Sequence, residues 1–182
     1  GFNKNSYIRT ICSDGLNNLY FTDQENVFKI NNSNPYSNAE KVFDGKGKRI
    51  YNFAVYKNNL WVSTRSSELI LKSGKTEKRF TIPNLNFRIS GMAIDTTGTL
   101  WGLMENSDNL LKISPDFSYK IYKLQNLMSS EPLIKNIDDK IYILSFQDKL
   151  KISTYDINSD SFVNLQIKHN INYPTNIAIN DF

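Results

Sequence analysis

The chain has 182 residues, 40% hydrophobic and 13% aromatic, with 22 Lys and Arg against 18 Asp and Glu, a net charge of +4. That length suits one domain or at most two, and ten Tyr with eleven Phe argue against disorder. A single Cys and a single His exclude a disulfide framework, a Cys/His zinc site and any mechanism needing two histidines, interspersed charges leave no nucleic-acid footprint, and no apolar run approaches a transmembrane helix.

From the N-terminus, Ile11-Cys12-Ser13 reads as a short strand, Asp14-Gly15 as its turn and Leu19-Tyr20-Phe21-Thr22 as a second strand. Val27-Phe28-Lys29-Ile30 and Lys41-Val42-Phe43 follow as third and fourth. The order then repeats. Phe53–Tyr56, Leu60–Ser63, Leu69–Lys72 and Lys78–Ile82 form the second set, with Asn58-Asn59 and Ser73-Gly74 as turns. Met92–Asp95, Leu100–Leu103, Leu110–Ile113 and Lys120–Leu124 form the third, with Thr97-Gly98 and Ser114-Pro115-Asp116 as turns. Leu133–Asn136, Ile141–Leu144, Leu150–Ser153 and Phe162–Ile167 form the fourth, with Asp138-Asp139 as a turn. Asn176–Asn180 matches the opening strand once more.

The anchoring aromatics Tyr20, Trp61, Trp101 and Tyr142 recur at spacings of 41, 40 and 41. Four short strands per unit of about forty residues is the pattern of a propeller blade. The expectation is an all-β protein, a β-propeller of four-stranded antiparallel blades spanning 1–182. The blades fall at about 7–45, 50–83, 89–125 and 131–168, with an extra strand at 175–180. Four blades and a spare strand read as a section of a larger ring, completed by further chain or by a partner copy. Leu124–Leu133 is interrupted by Ser129-Ser130 and Pro132, so no helix is expected there. Trp61 and Trp101 are expected to pack between sheets and Cys12 to be a small buried strand residue, while His169 reads as solvated or capping.

Leu19-Tyr20-Phe21-Thr22-Asp23 followed by Val27-Phe28-Lys29-Ile30 resembles a blade of the NHL type. Gly91-Met92-Ala93-Ile94-Asp95-Thr96-Thr97-Gly98-Thr99-Leu100-Trp101 resembles the propeller repeats of bacterial two-component sensors and of streptogramin lyases. The sensor likeness implies a non-catalytic ligand- or protein-binding module, the extracytoplasmic part of a membrane-bound signalling or transcription regulator. Its location would then be periplasmic or extracellular. The lyase likeness implies an enzyme using a His pair and an acid, a set that the single His169 does not supply. A calcium-dependent lactonase-type site would draw on acids such as Asp95, Glu131 and Asp138, which no spacing singles out. A third reading is a scaffold for protein–protein contact.

In a propeller the loops joining second to third strands share one face with the blade-to-blade loops. The first kind carry acids and the second are more basic. The candidate binding residues on that face are Glu25, Arg49, Arg65, Glu68, Arg88, Glu105, Asp108 and Asp148. Mixed charge there suits a small polar ligand or a charged protein partner. No catalytic residue, metal ligand or cofactor is assigned, and the adjacent Asp138-Asp139 pair reads as a solvated turn. Nucleic acid is not expected as a partner. Self-association through an open propeller edge is.

Overall fold

The structure is a computed structural model describing residues 10–14, 16–31, 33–34, 38–80, 88–124, 132–146 and 150–165. These residues form sixteen strands in four sheets, and no helix occurs among them. The first sheet holds β1 (Ile11–Ser13), β2 (Asn18–Thr22), β3 (Asn26–Asn31) and β4 (Glu40–Asp44). The second holds β5 (Ile50–Tyr56), β6 (Asn59–Thr64), β7 (Leu69–Ser73) and β8 (Thr76–Phe80). The third holds β9 (Ile89–Ile94), β10 (Leu100–Met104), β11 (Asn109–Ile113) and β12 (Tyr119–Lys123). The fourth holds β13 (Leu133–Ile137), β14 (Lys140–Phe146), β15 (Leu150–Asp156) and β16 (Ser161–Leu165). Each sheet is an antiparallel meander in chain order, as the sequence pattern predicts. The extra strand expected at 175–180 lies outside the described residues, as does His169.

Burial follows a gradient across the sheets. The second strands β6 and β10 are buried almost throughout, whereas the fourth strands β8 and β12 are almost wholly exposed. A strand covered on both faces needs an unbroken apolar run, and Leu60-Trp61-Val62 and Leu100–Met104 provide it. The outer strand β12 buries only Tyr122 and leaves Tyr119, Lys120, Ile121 and Lys123 exposed. Trp61 and Trp101 are only 3% and 1% exposed, so both are packing residues as expected. Cys12 is half-buried rather than fully buried, because short β1 leaves it at the margin of the core.

The first and third sheets share a turn device. Asp14 Oδ1 accepts the backbone N–H groups of Leu16 and Asn18, and its Oδ2 accepts the Tyr20 hydroxyl at 3.3 Å. Asp95 Oδ1 accepts the N–H groups of Thr97 and Thr99, and its Oδ2 accepts the Trp101 indole N–H at 2.9 Å. An Asp that opens the turn and an aromatic six residues later are thus tied together. The carboxylate satisfies the turn backbone and fixes the ring that fills the core. Burial opposes ionisation of Asp14, but bonds from Asn18, Leu16 and Tyr20 hold its carboxyl below the ordinary range. Burial, and next the Asp14 charge, push the Tyr20 hydroxyl well above its usual value.

The chain divides into two compact units, Gly1–Ile89 and Ser90–Phe182. The core of the first is Tyr20, Val27, Phe43, Ile50, Phe53, Leu60, Val62 and Ile70. That of the second is Ala93, Trp101, Leu103, Leu110, Tyr122, Leu124, Ile134, Ile141 and Ile143, with Tyr155 and Phe162 packed against it. Each core lies between a pair of sheets. No helix among the described residues is long and apolar enough to cross a membrane.

Candidate binding face

Three loops of the first unit are stitched together by backbone hydrogen bonds. Gly45 N donates to Glu25 O at 2.7 Å and Ile50 N to Gln24 O at 2.5 Å, joining the β4–β5 connection to the β2–β3 loop. Arg65 N donates to Arg49 O at 2.8 Å, joining the β6–β7 loop to the same connection. The β6–β7 loop closes on itself through Thr64 N to Glu68 O at 2.9 Å. Gly45 is required at this junction. A Cβ there would lie 2.5 Å from the carbonyl oxygens of both Glu25 and Lys48, and backbone atoms cannot yield that space cheaply.

Charge is arranged on this base. Lys48 Nζ donates to both Glu68 carboxylate oxygens, at 2.6 and 2.7 Å, and Arg79 adds a bond to Oε1 at 3.1 Å. The Lys48 hydrogen bond, opposed by partial burial, leaves the Glu68 carboxyl below its ordinary range. Glu68 is therefore spoken for, and its role is to hold two cations in place. Arg49 and Arg65 are exposed, as is Glu25. The Arg88 guanidinium lies 5.6 Å from the centre of the Tyr51 ring, a cation–π geometry. The structure thus gathers Glu25, Arg49, Arg65 and Glu68 on one set of linked loops, with Arg88 over Tyr51.

Glu105 and Asp108 stand half-buried on the β10–β11 loop of the second unit. That loop is tied to the chain leaving β12 by Leu124 N donating to Asp108 O at 2.7 Å, the counterpart of the Gly45–Glu25 link. Asp148 lies outside the described residues, as does Glu131. Asp95 is engaged by its turn and Trp101. Asp138 and Asp139 form an exposed hairpin turn with φ of 47° and 62°, from which Asp139 Oδ1 accepts the Thr96 N–H. That contact holds the Asp139 carboxyl low. Among the described residues no three His, Cys, Asp or Glu side chains come together as a metal site would require.

Sequence reasoning missed two features. Lys48 on the β4–β5 connection and Arg79 on β8 are partners of Glu68 that leave no local signal. The second is a cluster around Asp160. Its Oδ1 accepts the hydroxyls of Tyr122 and Tyr155 at 2.5 Å each, and its Oδ2 accepts Lys120 Nζ. Lys112 Nζ donates to the Tyr155 hydroxyl at 3.1 Å and lies 5.0 Å from the centre of the Trp101 ring. Bonds from Lys120, Tyr122 and Tyr155 press the Asp160 carboxyl far below its ordinary range. Burial, then the bond to Asp160, drives the Tyr122 hydroxyl far up.

The solved streptogramin B lyase superposes with a TM-score of 0.70 at 18% identity, covering 92% of this chain and 58% of that one. Virginiamycin B lyase from Staphylococcus aureus with quinupristin gives 0.70 at 14%, with the same coverages. The WD40 repeats of RRP9 give 0.65 at 12%, covering 89% and 52%. The fold is a β-propeller. Identities this low establish the fold of the blades and nothing about their chemistry. The chain spans little more than half the length of these propellers. No protein-family model matches it, and no curated protein does.

Proposed function

We propose that this propeller is a non-catalytic binding module, the extracytoplasmic sensory part of a bacterial membrane-bound signalling or transcription regulator. The observation that carries the binding role is the stitched loop set. Arg49 and Arg65 project from loops whose backbones are fixed to one another, with Gly45 packed between carbonyls. Arginines carried on loops whose backbones are already linked meet carboxylates without reordering those loops, so an acidic ligand or acidic protein surface is the fitting partner. The sensory role and the extracytoplasmic location rest on the resemblance of Gly91–Trp101 to sensor repeats. Self-association through an uncovered blade edge belongs to the same reading.

A poly-glutamate peptide titrated into the protein tests the binding role. We expect salt-sensitive binding that weakens at least about tenfold in the Arg49→Ala/Arg65→Ala/Arg88→Ala variant. Equal binding by the two proteins would refute it. A lyase reading rests on the resemblance of Gly91–Trp101 to streptogramin-lyase repeats, and a solved lyase of similar fold was obtained with quinupristin. Incubating the protein with quinupristin and following its retention in reversed-phase chromatography separates the two, because ring opening by elimination gives an isomer of the same mass. An unchanged peak is expected, and a new peak growing with time would overturn the non-catalytic assignment.

A further inference from the structure

A cleft of about 300 Å³ opens in the second unit between the end of β12 and the facing side of β14–β16. Its walls carry Ser145, Lys151, Ser153, Ser161 and Asn164 from the fourth sheet, and Lys123 beside Tyr122 and Leu124 from the third, with Phe162 between. Among the described residues the lining holds two amines, four hydroxyls counting that of Tyr122, and a carboxamide, and no carboxylate. The nearby Asp160 is occupied by Lys120, Tyr122 and Tyr155.

The polarity of this wall is unusual for its position. Register places Ser153 opposite Ile143, where the second sheet sets Ile70 opposite Val62 and the third sets Leu111 opposite Gly102. Ile70 and Leu111 are each 1% exposed and fill their cores. In the first unit Phe43 and Ile70 belong to one closed core. In the second, Tyr122 occupies the place of Phe43, but Ser153 leaves the space beside it open. Ser145, at the place held by Thr64 in β6 and Met104 in β10, is only 6% exposed. Apolar burial worth roughly 1.5–3 kcal/mol is given up at Ser153. Departures of this kind from the local pattern mark functional sites.

The groups also converge. Ser153 Oγ donates to Asn164 Oδ1 at 2.7 Å, which leaves the Asn164 Nδ2 hydrogens as donors. Lys151 lies two residues before Ser153 on the same face of β15, and Lys123 stands exposed beside the cleft. Amines, hydroxyls and an amide N–H around an apolar floor are the donor set for an oxyanion carried on a small carbon frame. We propose that this cleft binds a small molecule bearing a phosphate or carboxylate group. The site is separate from the arginine face of the first unit and does not rest on that reading.

Isothermal titration with inorganic phosphate and, separately, with citrate tests it. Saturable binding of at least one is expected, and the preferred ion identifies the head group. Lys151→Met and Ser153→Ile should each weaken it at least about tenfold, a loss of about 1.4 kcal/mol. Ser153→Ile should also raise Tm by about 2–4 °C, because it restores the residue type that closes the first unit. The Arg49→Ala/Arg65→Ala/Arg88→Ala variant should bind as the parent does, so this site and the arginine face fail independently. Absence of saturable binding of both ions up to about 10 mM, or an unchanged affinity in Lys151→Met, would overturn the proposal.

Discussion

The two units solve one packing problem in opposite ways. In each, a wedge between two twisted sheets must be filled from one end to the other. In the first unit the end near the β2–β3 and β6–β7 loops is closed by Phe43 and Ile70, and the Lys48–Glu68–Arg79 network caps it. Its other end opens into a cleft of about 280 Å³ whose lining includes Lys29, Glu40, Lys57 and Lys72. In the second unit that far end is packed. Trp101 lies 4.6 Å from Tyr155 and 5.9 Å from Phe162 by ring centres, and Lys112 lies over both Trp101 and Tyr155. Here it is the loop end that opens. Register explains the exchange. Lys72 pairs with Leu60 in β6, and Tyr155 stands at the corresponding place one residue beyond the Tyr142–Thr154 pair. A lysine there reaches out to Val42 O at 2.6 Å and leaves space, whereas a tyrosine lies against Trp101 and fills it. One repeat pattern thus yields two differently placed openings, and the residues that decide them vary from copy to copy.

Trp101→Ala tests the packed end most severely. It should cost about 3–5 kcal/mol in chemical denaturation, and an unchanged transition would show that the aromatic cluster is not the core of its unit. Ile70→Ser should cost about 2–5 kcal/mol and give the first unit an opening like that of the second, detectable by a dye that reports exposed apolar surface. Asp95→Ala frees the Trp101 indole and the turn N–H groups together and should cost about 1–3 kcal/mol.

Asp160 contributes to the acid sensitivity of the second unit, alongside Asp116, Asp139 and Asp156, whose carboxyls are also held low. Its folded pKa lies below the ordinary value of 3.8 through bonds from Lys120, Tyr122 and Tyr155. Its contribution is complete above the unfolded value and fades as pH falls from there toward the folded one. Asp160→Asn should therefore flatten the dependence of Tm on pH below about 4 and leave its shape at pH 7 unaltered. The smallest effect is expected from Glu68→Gln. Lys48 and Glu68 are partly solvated, so stability should change by less than about 1 kcal/mol, while backbone amide exchange in the β6–β7 loop quickens.

The repeat itself was legible because its signals are local. Asp14 and Asp95 open turns, Tyr20 and Trp101 follow six residues later, and the unbroken apolar run of β10 sets it apart from lysine-bearing β12 without reference to any distant residue. The linked loops were legible as well, since blade geometry places Glu25, Arg49, Arg65 and Glu68 at one end of their sheets. What each charge does there was not. Glu68 looks in sequence like Glu25, yet one is bound by Lys48 and Arg79 and the other is exposed.

The sequence alone determined an all-β chain of four-stranded blades, because turn chemistry, two-residue alternation and a forty-residue period act over short distances. Only the tertiary structure decided which wedge positions are closed and which stand open. Phe43 with Ile70, Tyr122 with Ser153 across the cleft, and Asp160 with Tyr122 come together from tens of residues apart. Contacts of that kind depend on how side chains of two sheets fit together, which no local pattern specifies.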